Sequence, residues 1–167
     1  MRLREDFLEL PNAGATTYAF IEKARAVIIV PITADKQVVM LRQFRYAVDE
    51  WCLEVPAGTT SDTGDTPLEE VVAKELKEEI GATFERLERL GAFYPDNAMS
   101  SEECHVFLAL GVELTEKPKP EAKEAIEILL KPAAEALEMA RRGKMRTGPC
   151  ALGLLLAEPR LRELGLI

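Results

Sequence analysis

The sequence has a single histidine, few cysteines and no long hydrophobic run. One histidine, His105, in 167 residues leaves little basis for serine–histidine or cysteine–histidine catalysis. The three cysteines, Cys52, Cys104 and Cys150, are too scattered for a disulfide framework or a zinc site, and they favour a reducing compartment. The apolar run at residues 150–157 is much shorter than the roughly 20 residues of a membrane span. We therefore expect a cytoplasmic protein.

Positive charge is also in deficit, with 21 Lys and Arg against 29 Asp and Glu and a net charge of −8. An acidic protein is a poor candidate for binding nucleic acid or an anionic membrane, so we expect neither partner. Carboxylates do suit divalent cations. The first ten residues are too charged for a signal peptide. The length and the 47% hydrophobic content fit one globular domain over residues 1–167.

The hydrophobic pattern predicts many strands and a few helices. Strands are expected at residues 16–22, 26–32, 37–44, 51–55, 84–94, 103–112 and 126–130, with a turn at 34–36. Helices are expected at residues 67–80, 132–142 and 150–164, the last broken at Pro159. Thr66 is expected to cap the first helix, with Pro67 in its first position. This order predicts a mixed sheet covered by helices, an α/β (α+β) fold.

Three glutamates of the first predicted helix point to a metal site. Glu75, Glu78 and Glu79 are spaced i, i+3 and i+4, which places them on one helix face, where like charges repel by a few tenths of a kcal/mol per pair. A divalent cation would offset that repulsion, and Mg²⁺ keeps water ligands that leave room for a phosphate. The alternative is a solvated helix face, neutralised by Lys74 and Lys77.

The segment around this helix resembles the signature of the Nudix hydrolases. That signature has a Gly and a loop Glu, followed by Arg-Glu-apolar-x-Glu-Glu-x-Gly-apolar. Here Gly58 is followed by Lys-Glu-Leu-Lys-Glu-Glu-Ile-Gly-Ala at residues 74–82. Three segments are similar to the ADP-ribose pyrophosphatase branch: Leu-Arg-Gln-Phe-Arg at 41–45, Leu-Glu-Val-Pro-Ala-Gly at 53–58 and Met-Ser-Ser-Glu-Glu-Cys-His-Val-Phe-Leu-Ala at 99–109.

The resemblance implies a Nudix-type α/β/α sandwich with a mixed β-sheet and a loop–helix–loop metal site. It implies metal-dependent hydrolysis of ADP-ribose or a related nucleoside diphosphate sugar to a nucleoside monophosphate and a sugar phosphate. The implied cofactor is Mg²⁺, with Mn²⁺ as a substitute. It also implies a homodimer that pairs through the N-terminal strand segment, residues 1–22, chiefly residues 7–22.

The resemblance also implies roles for individual residues. The implied metal ligands are Glu75, Glu78, Glu79 and the main-chain carbonyl of Ala57. The implied catalytic groups are Glu78, Glu79 and the loop carboxylates Glu121 and Glu124, where the branch often places its general base. The implied substrate contacts are Arg45, Arg42 and Glu102. For the loop carboxylates a solvated position is the alternative, and His105 is expected to pack or hydrogen-bond within a strand.

The chain departs from the family pattern at three places. Lys74 replaces the arginine that orients a metal-binding glutamate in the family, and lysine lacks the planar fork of arginine. The loop from Gly58 to Lys74 is longer than in the family, and Asp65 is the nearest substitute for its glutamate. Asn97 stands where the branch has a proline. Two alternatives therefore stay open: a nucleotide-binding module without turnover, and a Nudix hydrolase of nucleoside triphosphates or dinucleoside polyphosphates.

Overall fold

The computed structural model describes residues 1–12, 14–60, 66–119 and 125–167. The strands in these ranges are β1 Arg2–Leu10, β2 Gly14–Glu22, β3 Ala26–Ile32, β4 Gln37–Arg45, β5 Glu50–Glu54, β6 Ala57–Thr59, β7 Ala82–Thr83, β8 Arg86–Phe93, β9 Cys104–Leu110, β10 Glu113–Leu114 and β11 Ile126–Pro132. The α-helices in the same ranges are α1 Leu68–Ile80, α2 Ala133–Arg141 and α3 Gly148–Glu163. A 3₁₀ turn, Tyr46–Val48, joins β4 to β5.

The central sheet has the strand order β11-β4-β3-β9-β8, with β5 paired to β4 and β6 paired to β3. Strands β3 and β9 run parallel, from Ala26 opposite Cys104 to Ile32 opposite Leu110, and the other pairs are antiparallel. All seven residues of β3 are buried, as its continuous apolar sequence predicts. The prediction of a mixed sheet is confirmed.

Helices cover both faces of this sheet because side chains alternate along each strand. On β3, Ile28 and Val30 belong to a core that includes side chains of α2 and α3. Their neighbours Val27 and Ile29 belong to a second core that includes side chains of α1. The arrangement is an α/β/α sandwich, as predicted.

Helix α1 has the buried stripe that its sequence predicts, although it begins slightly later than expected. Leu68, Leu76 and Ile80 are all buried. Pro67, not Thr66, is the cap residue, because its ψ of 139° is extended and helical geometry starts only at the next residue. At the other end, Gly81 has a φ of +63° and its N–H bonds to the carbonyls of the last turn, which ends the helix as predicted.

Helix α3 runs without a break through Pro159, so the predicted interruption is wrong. Proline removes one N–H donor, but the helix is held on both sides of it by buried side chains. Leu154 and Ala157 before the proline and Leu161 after it are fully buried in the core. That packing outweighs the lost hydrogen bond. In the part of the chain that the structure describes, no helix is long and apolar enough to span a membrane.

Gly153 lets α3 approach the sheet closely. A Cβ at this position would lie 2.8 Å from Cγ2 of Ile28, a stiff β-branched side chain on the central strand. We expect Gly153→Ala to lower the free energy of unfolding by about 1–3 kcal/mol, although alanine is the better helix former. Urea unfolding measures this change. Gly91→Ala on β8 is the control, because a Cβ there meets nothing within 4 Å; equal stability of both variants would contradict the expected clash.

The N-terminal hairpin stands apart from the central sheet. Strands β1 and β2 pair with each other, from Arg2 opposite Glu22 to Leu10 opposite Gly14. The hydrophobic pattern predicted only the second strand, because β1 is charged and largely exposed, with Phe7 79% exposed. The hairpin is attached where Ile21 N–H donates to the carbonyl of Met99 at 2.8 Å.

Candidate active site

The candidate site is built on the short turn between β5 and β6. Strand β6 pairs with the start of β3, where Ala57 lies opposite Ile28 and Gly58 lies opposite Val27. The carbonyl of Pro56 accepts a hydrogen bond of 2.9 Å from the N–H of Ile29. The central strand therefore fixes the backbone of this turn, and α1 contacts β6.

Glu79, in the last turn of α1, meets this backbone directly. Its Oε2 accepts a hydrogen bond of 3.1 Å from the N–H of Ala57. The residue is only 7% exposed, and a buried carboxylate is stabilised by such a donor. The structure thus brings together Glu79 and Ala57, two of the residues proposed from the sequence.

Glu75, one turn earlier on α1, lies against Gly58. A Cβ at Gly58 would be 2.1 Å from Cδ of Glu75 and 2.2 Å from its Oε1. The glycine is therefore needed for a close approach of the carboxylate, a use that depends on the missing side chain. Glu75 and Glu79 both reach the β6 backbone because residues four apart share a helix face.

Glu78 is placed differently from these two glutamates. Its side chain is 45% exposed, and its Oε2 lies 3.7 Å from Nζ of Lys74. Its main-chain carbonyl accepts a hydrogen bond of 2.8 Å from the N–H of Lys119. The contacts of the described residues place the Glu78 carboxylate with Lys74 and do not bring it to Ala57 or Gly58.

The donor set at β6 fits a hard divalent cation. Within residues 1–12, 14–60, 66–119 and 125–167, no group of three or more His, Cys, Asp or Glu side chains is arranged to hold a metal ion. Glu75 and Glu79 supply two carboxylates beside a main-chain segment, and Mg²⁺ is commonly held by one or two carboxylates together with water and substrate phosphates. The sequence candidates Glu121, Glu124 and Asp65 lie outside the described residues.

Arg45, at the end of β4, is held by Glu54, at the end of β5. Arg45 Nε donates to Glu54 Oε1 at 2.8 Å, and its Nη2 donates to Oε2. The hydrogen bond and charge of the Glu54 carboxylate raise the pKa of Arg45 above its usual value; burial opposes this shift, and Glu79 makes a smaller contribution that also raises the pKa. Sequence reasoning missed Glu54; its signal was a charged residue inside the apolar run at residues 53–55.

Arg42 makes its contacts with Glu127 and Trp51, away from Arg45. Its Nη1 pairs with Oε2 of Glu127 at 2.9 Å, and its guanidinium lies 4.7 Å from the ring centroid of Trp51. Arg42 and Arg45 are an odd number of residues apart on one strand, so they point to opposite faces. The structure therefore separates the two arginines that the sequence grouped together.

Glu102 lies near the same end of the sheet as β6. It precedes β9, whose first residue Cys104 pairs with Ala26, and Ala26 also pairs with Thr59 of β6. The Glu102 carboxylate is 2.5 Å from Nζ of Lys23 and 14% exposed. Its charge is thus already matched by a lysine.

His105 packs inside β9, as predicted, and is 4% exposed. Its Nδ1 accepts a hydrogen bond of 2.7 Å from Nη2 of Arg89. Its Nε2 lies 3.2 Å from Oε2 of Glu103 but makes no hydrogen bond to any described residue. Burial lowers the pKa of His105; Glu103 opposes this shift, while Arg89 and Arg25 add to it. Burial in the core therefore favours the neutral form of the ring.

This lowered pKa predicts how stability depends on pH. Below about pH 6.5 the unfolded chain binds a proton at His105 while the folded chain resists it, so stability falls as the pH decreases. The slope is at most about 1.4 kcal/mol per pH unit. Urea unfolding between pH 7.5 and 5.5 measures it. His105 is the only histidine of the chain, so this dependence of stability on pH should be absent in His105→Gln. An equal slope in the variant would show that His105 is not its source.

Comparisons with known proteins place this chain in a family. The NUDIX domain model matches residues 22–147. The chain is 32% identical over 133 residues to the ADP-ribose pyrophosphatase of Bacillus subtilis (strain 168), which covers 79% of this chain and 71% of that protein. It is 29% identical over 154 residues to the ADP-ribose pyrophosphatase of Mycobacterium tuberculosis (strain ATCC 25618 / H37Rv). These residues are 92% of this chain and 74% of that protein.

Two further similarities extend the comparison. The methanol dehydrogenase activator of Bacillus methanolicus is 28% identical over 145 residues, which are 84% of this chain and 77% of that protein. A crystal structure described as an ADP compounds hydrolase superposes with a TM-score of 0.82 at 19% identity, covering 99% of this chain and 96% of that chain, so the fold is shared. The prediction of a Nudix pyrophosphohydrolase is confirmed. The chain therefore belongs to the Nudix family.

Proposed function

We propose that this protein hydrolyses the pyrophosphate bond of a nucleoside diphosphate joined to a sugar, with ADP-ribose as the first candidate. The products are a nucleoside monophosphate and a sugar phosphate. The observation that carries the proposal is the meeting of Glu75 and Glu79 on the backbone of Ala57 and Gly58. The relatives named ADP-ribose pyrophosphatase support the choice of substrate class.

The acidic site needs a cation to accept an anionic substrate. We propose that Glu75, Glu79 and the main-chain carbonyl of Ala57 hold Mg²⁺ or Mn²⁺. When bound, the cation supplies positive charge for the phosphoryl oxygens and lowers the pKa of a coordinated water. Without it, a diphosphate would be repelled by the site and by a chain of net charge −8. The proposal thus explains why a carboxylate cluster serves an anionic substrate.

The remaining roles fall to side chains of this chain. Arg45, fixed by Glu54, offers its free guanidinium nitrogen to a phosphate oxygen. A glutamate takes the proton of the attacking water, and Glu121 and Glu124 are the candidates for this general base. Arg42, held by Glu127 and Trp51, is assigned to the contact between β4 and β11.

We also propose that the β1–β2 hairpin pairs with a second copy of this chain. The side chains of Leu3 and Phe7 in this hairpin are 77% and 79% exposed, which is unusual for large apolar side chains in water. Their exposure supports a surface that a second copy covers. Sedimentation velocity of wild type is expected to give a dimer, and Phe7→Glu is expected to give a monomer. A wild-type monomer at micromolar concentration would contradict the pairing.

A substrate panel tests the proposed function. ADP-ribose, nucleotide sugars, nucleoside triphosphates and dinucleoside polyphosphates are each incubated with Mg²⁺, with Mn²⁺ and with chelator. Phosphate is then measured after phosphatase treatment. We expect metal-dependent turnover of one diphosphate sugar class. Preferred turnover of triphosphates or dinucleoside polyphosphates would assign the chain to another branch. Binding without turnover would indicate a non-catalytic module, with Lys74→Arg as the next variant.

A further inference from the structure

We infer that Glu54 is a positioning residue for substrate binding: it fixes the guanidinium of Arg45 so that its free nitrogen meets a phosphate of the substrate. This inference rests on the proposed function, because it names the anionic group that Arg45 would contact. The inference goes beyond the proposed function because it gives a role to Glu54, a buried carboxylate that acts through Arg45 and not on the reacting atoms.

The burial of Glu54 requires an explanation. Its side chain is 2% exposed, whereas carboxylates are almost never fully buried unless they are paired. Three hydrogen bonds satisfy it: Nε and Nη2 of Arg45, and the hydroxyl of Thr147, which donates to Oε1 at 3.0 Å. A buried ion pair is weak support for stability, since apolar residues of the same volume do as well. A role in placing Arg45 accounts for the cost of burying the charge.

The geometry of the pair leaves one edge of Arg45 available. Glu54 binds the edge formed by Nε and Nη2, and Nη1 makes no hydrogen bond to any residue in the described ranges. The Arg45 side chain is 45% exposed, so the guanidinium spans from a buried carboxylate to the surface. The free edge, with Nη1 and the second hydrogen of Nη2, has the two-donor geometry that binds a phosphate.

Thr147 extends this support to a third segment. It is the cap residue of α3, and its hydroxyl bonds the same Glu54 oxygen as Arg45 Nε does. Glu54 therefore connects the end of β4, the end of β5 and the start of α3. An arginine held in this way keeps one conformation before substrate arrives, which reduces the entropy lost on binding.

A set of variants separates positioning from simple structural support. Glu54→Gln is expected to raise KM for ADP-ribose about tenfold, with a smaller change in kcat, because the charged pair is lost. In the Arg45→Ala background the same change should have no further effect, since Glu54 acts through Arg45. Thr147→Val, which keeps the ion pair, is expected to raise KM by about twofold to threefold. This milder variant remains informative if Glu54→Gln folds poorly.

The control is another Arg–Glu pair of the same geometry. Arg160 donates to Glu88 through Nε at 2.8 Å and Nη2 at 3.3 Å, between α3 and β8. Glu88→Gln is expected to change thermal stability at most, with KM unchanged. The inference is overturned if Glu54→Gln leaves KM unchanged, as Glu88→Gln is expected to do. It is also overturned if the effect of Glu54→Gln on KM adds to that of Arg45→Ala.

Two further measurements separate this inference from the proposed function. The ¹⁵N spectrum of the arginine Nε–H groups should show a slowly exchanging Arg45 signal that is lost in Glu54→Gln, with no ligand present. If wild type hydrolyses no diphosphate, the proposed function fails, and the Kd of ADP with Mg²⁺ replaces KM. A tenfold weaker Kd in Glu54→Gln then supports positioning. An equal Kd, or no ADP binding by wild type, overturns it.

Discussion

Glu79→Gln is expected to lower kcat by about 10³-fold and to leave the fold intact. Glutamine keeps the volume of the side chain, and its oxygen can still accept the hydrogen bond from the N–H of Ala57. What it removes is the negative charge that a divalent cation requires. Steady-state hydrolysis with Mg²⁺ gives the rate, and circular dichroism with urea unfolding confirms the fold.

The matched control for this variant lies on the same helix. Glu70→Gln removes one charge from the exposed first turn of α1, far along the helix from Glu79. Its kcat should stay within about twofold of wild type, because surface substitutions have small effects. Comparable activity of Glu79→Gln and Glu70→Gln would remove Glu79 from the metal site.

Gly58→Ala is expected to separate activity from stability. The added Cβ would overlap the Glu75 carboxylate, at 2.1 Å from its Cδ, and the long glutamate side chain can rotate away. Stability should therefore change by no more than about 1 kcal/mol, because the contacts that Glu75 loses on rotating are offset by the restriction that alanine places on the unfolded chain. Activity should fall by about 10²-fold, because the displaced carboxylate no longer faces the β6 backbone. Urea unfolding and Mg²⁺-dependent hydrolysis measure the two effects.

Gly91→Ala is again the appropriate control. Gly91 is also a strand glycine without a positive φ, but a Cβ there would have open space. It should share any stability gain of Gly58→Ala and retain full activity. A fully active Gly58→Ala variant would show that the position of Glu75 against Gly58 is not needed for turnover.

The local sequence pattern predicts the structure correctly where one physical effect dominates. The continuous apolar run of β3 predicts its bounds correctly, because a strand covered on both faces must be apolar at every position. The buried stripe of α1 follows from the helical period. The same period groups Glu75 with Glu79, and the structure places both against β6.

The local sequence pattern does not predict the structure where tertiary contacts determine it. The helix break predicted at Pro159 does not occur, because packing of Leu154 and Leu161 holds α3 together. The partner of Arg45 could not be read from the sequence, because Glu54 meets it only when β5 folds back on β4.

The most direct test of the central claim is anomalous diffraction from crystals soaked in Mn²⁺. The proposed site predicts a Mn²⁺ peak beside Glu75, Glu79 and the carbonyl of Ala57, and predicts its loss in Glu79→Gln. A peak at that place would identify the β6–α1 junction as the metal centre of the enzyme. Mn²⁺ bound only elsewhere, or no bound Mn²⁺ in crystals of the active wild-type enzyme, would contradict it.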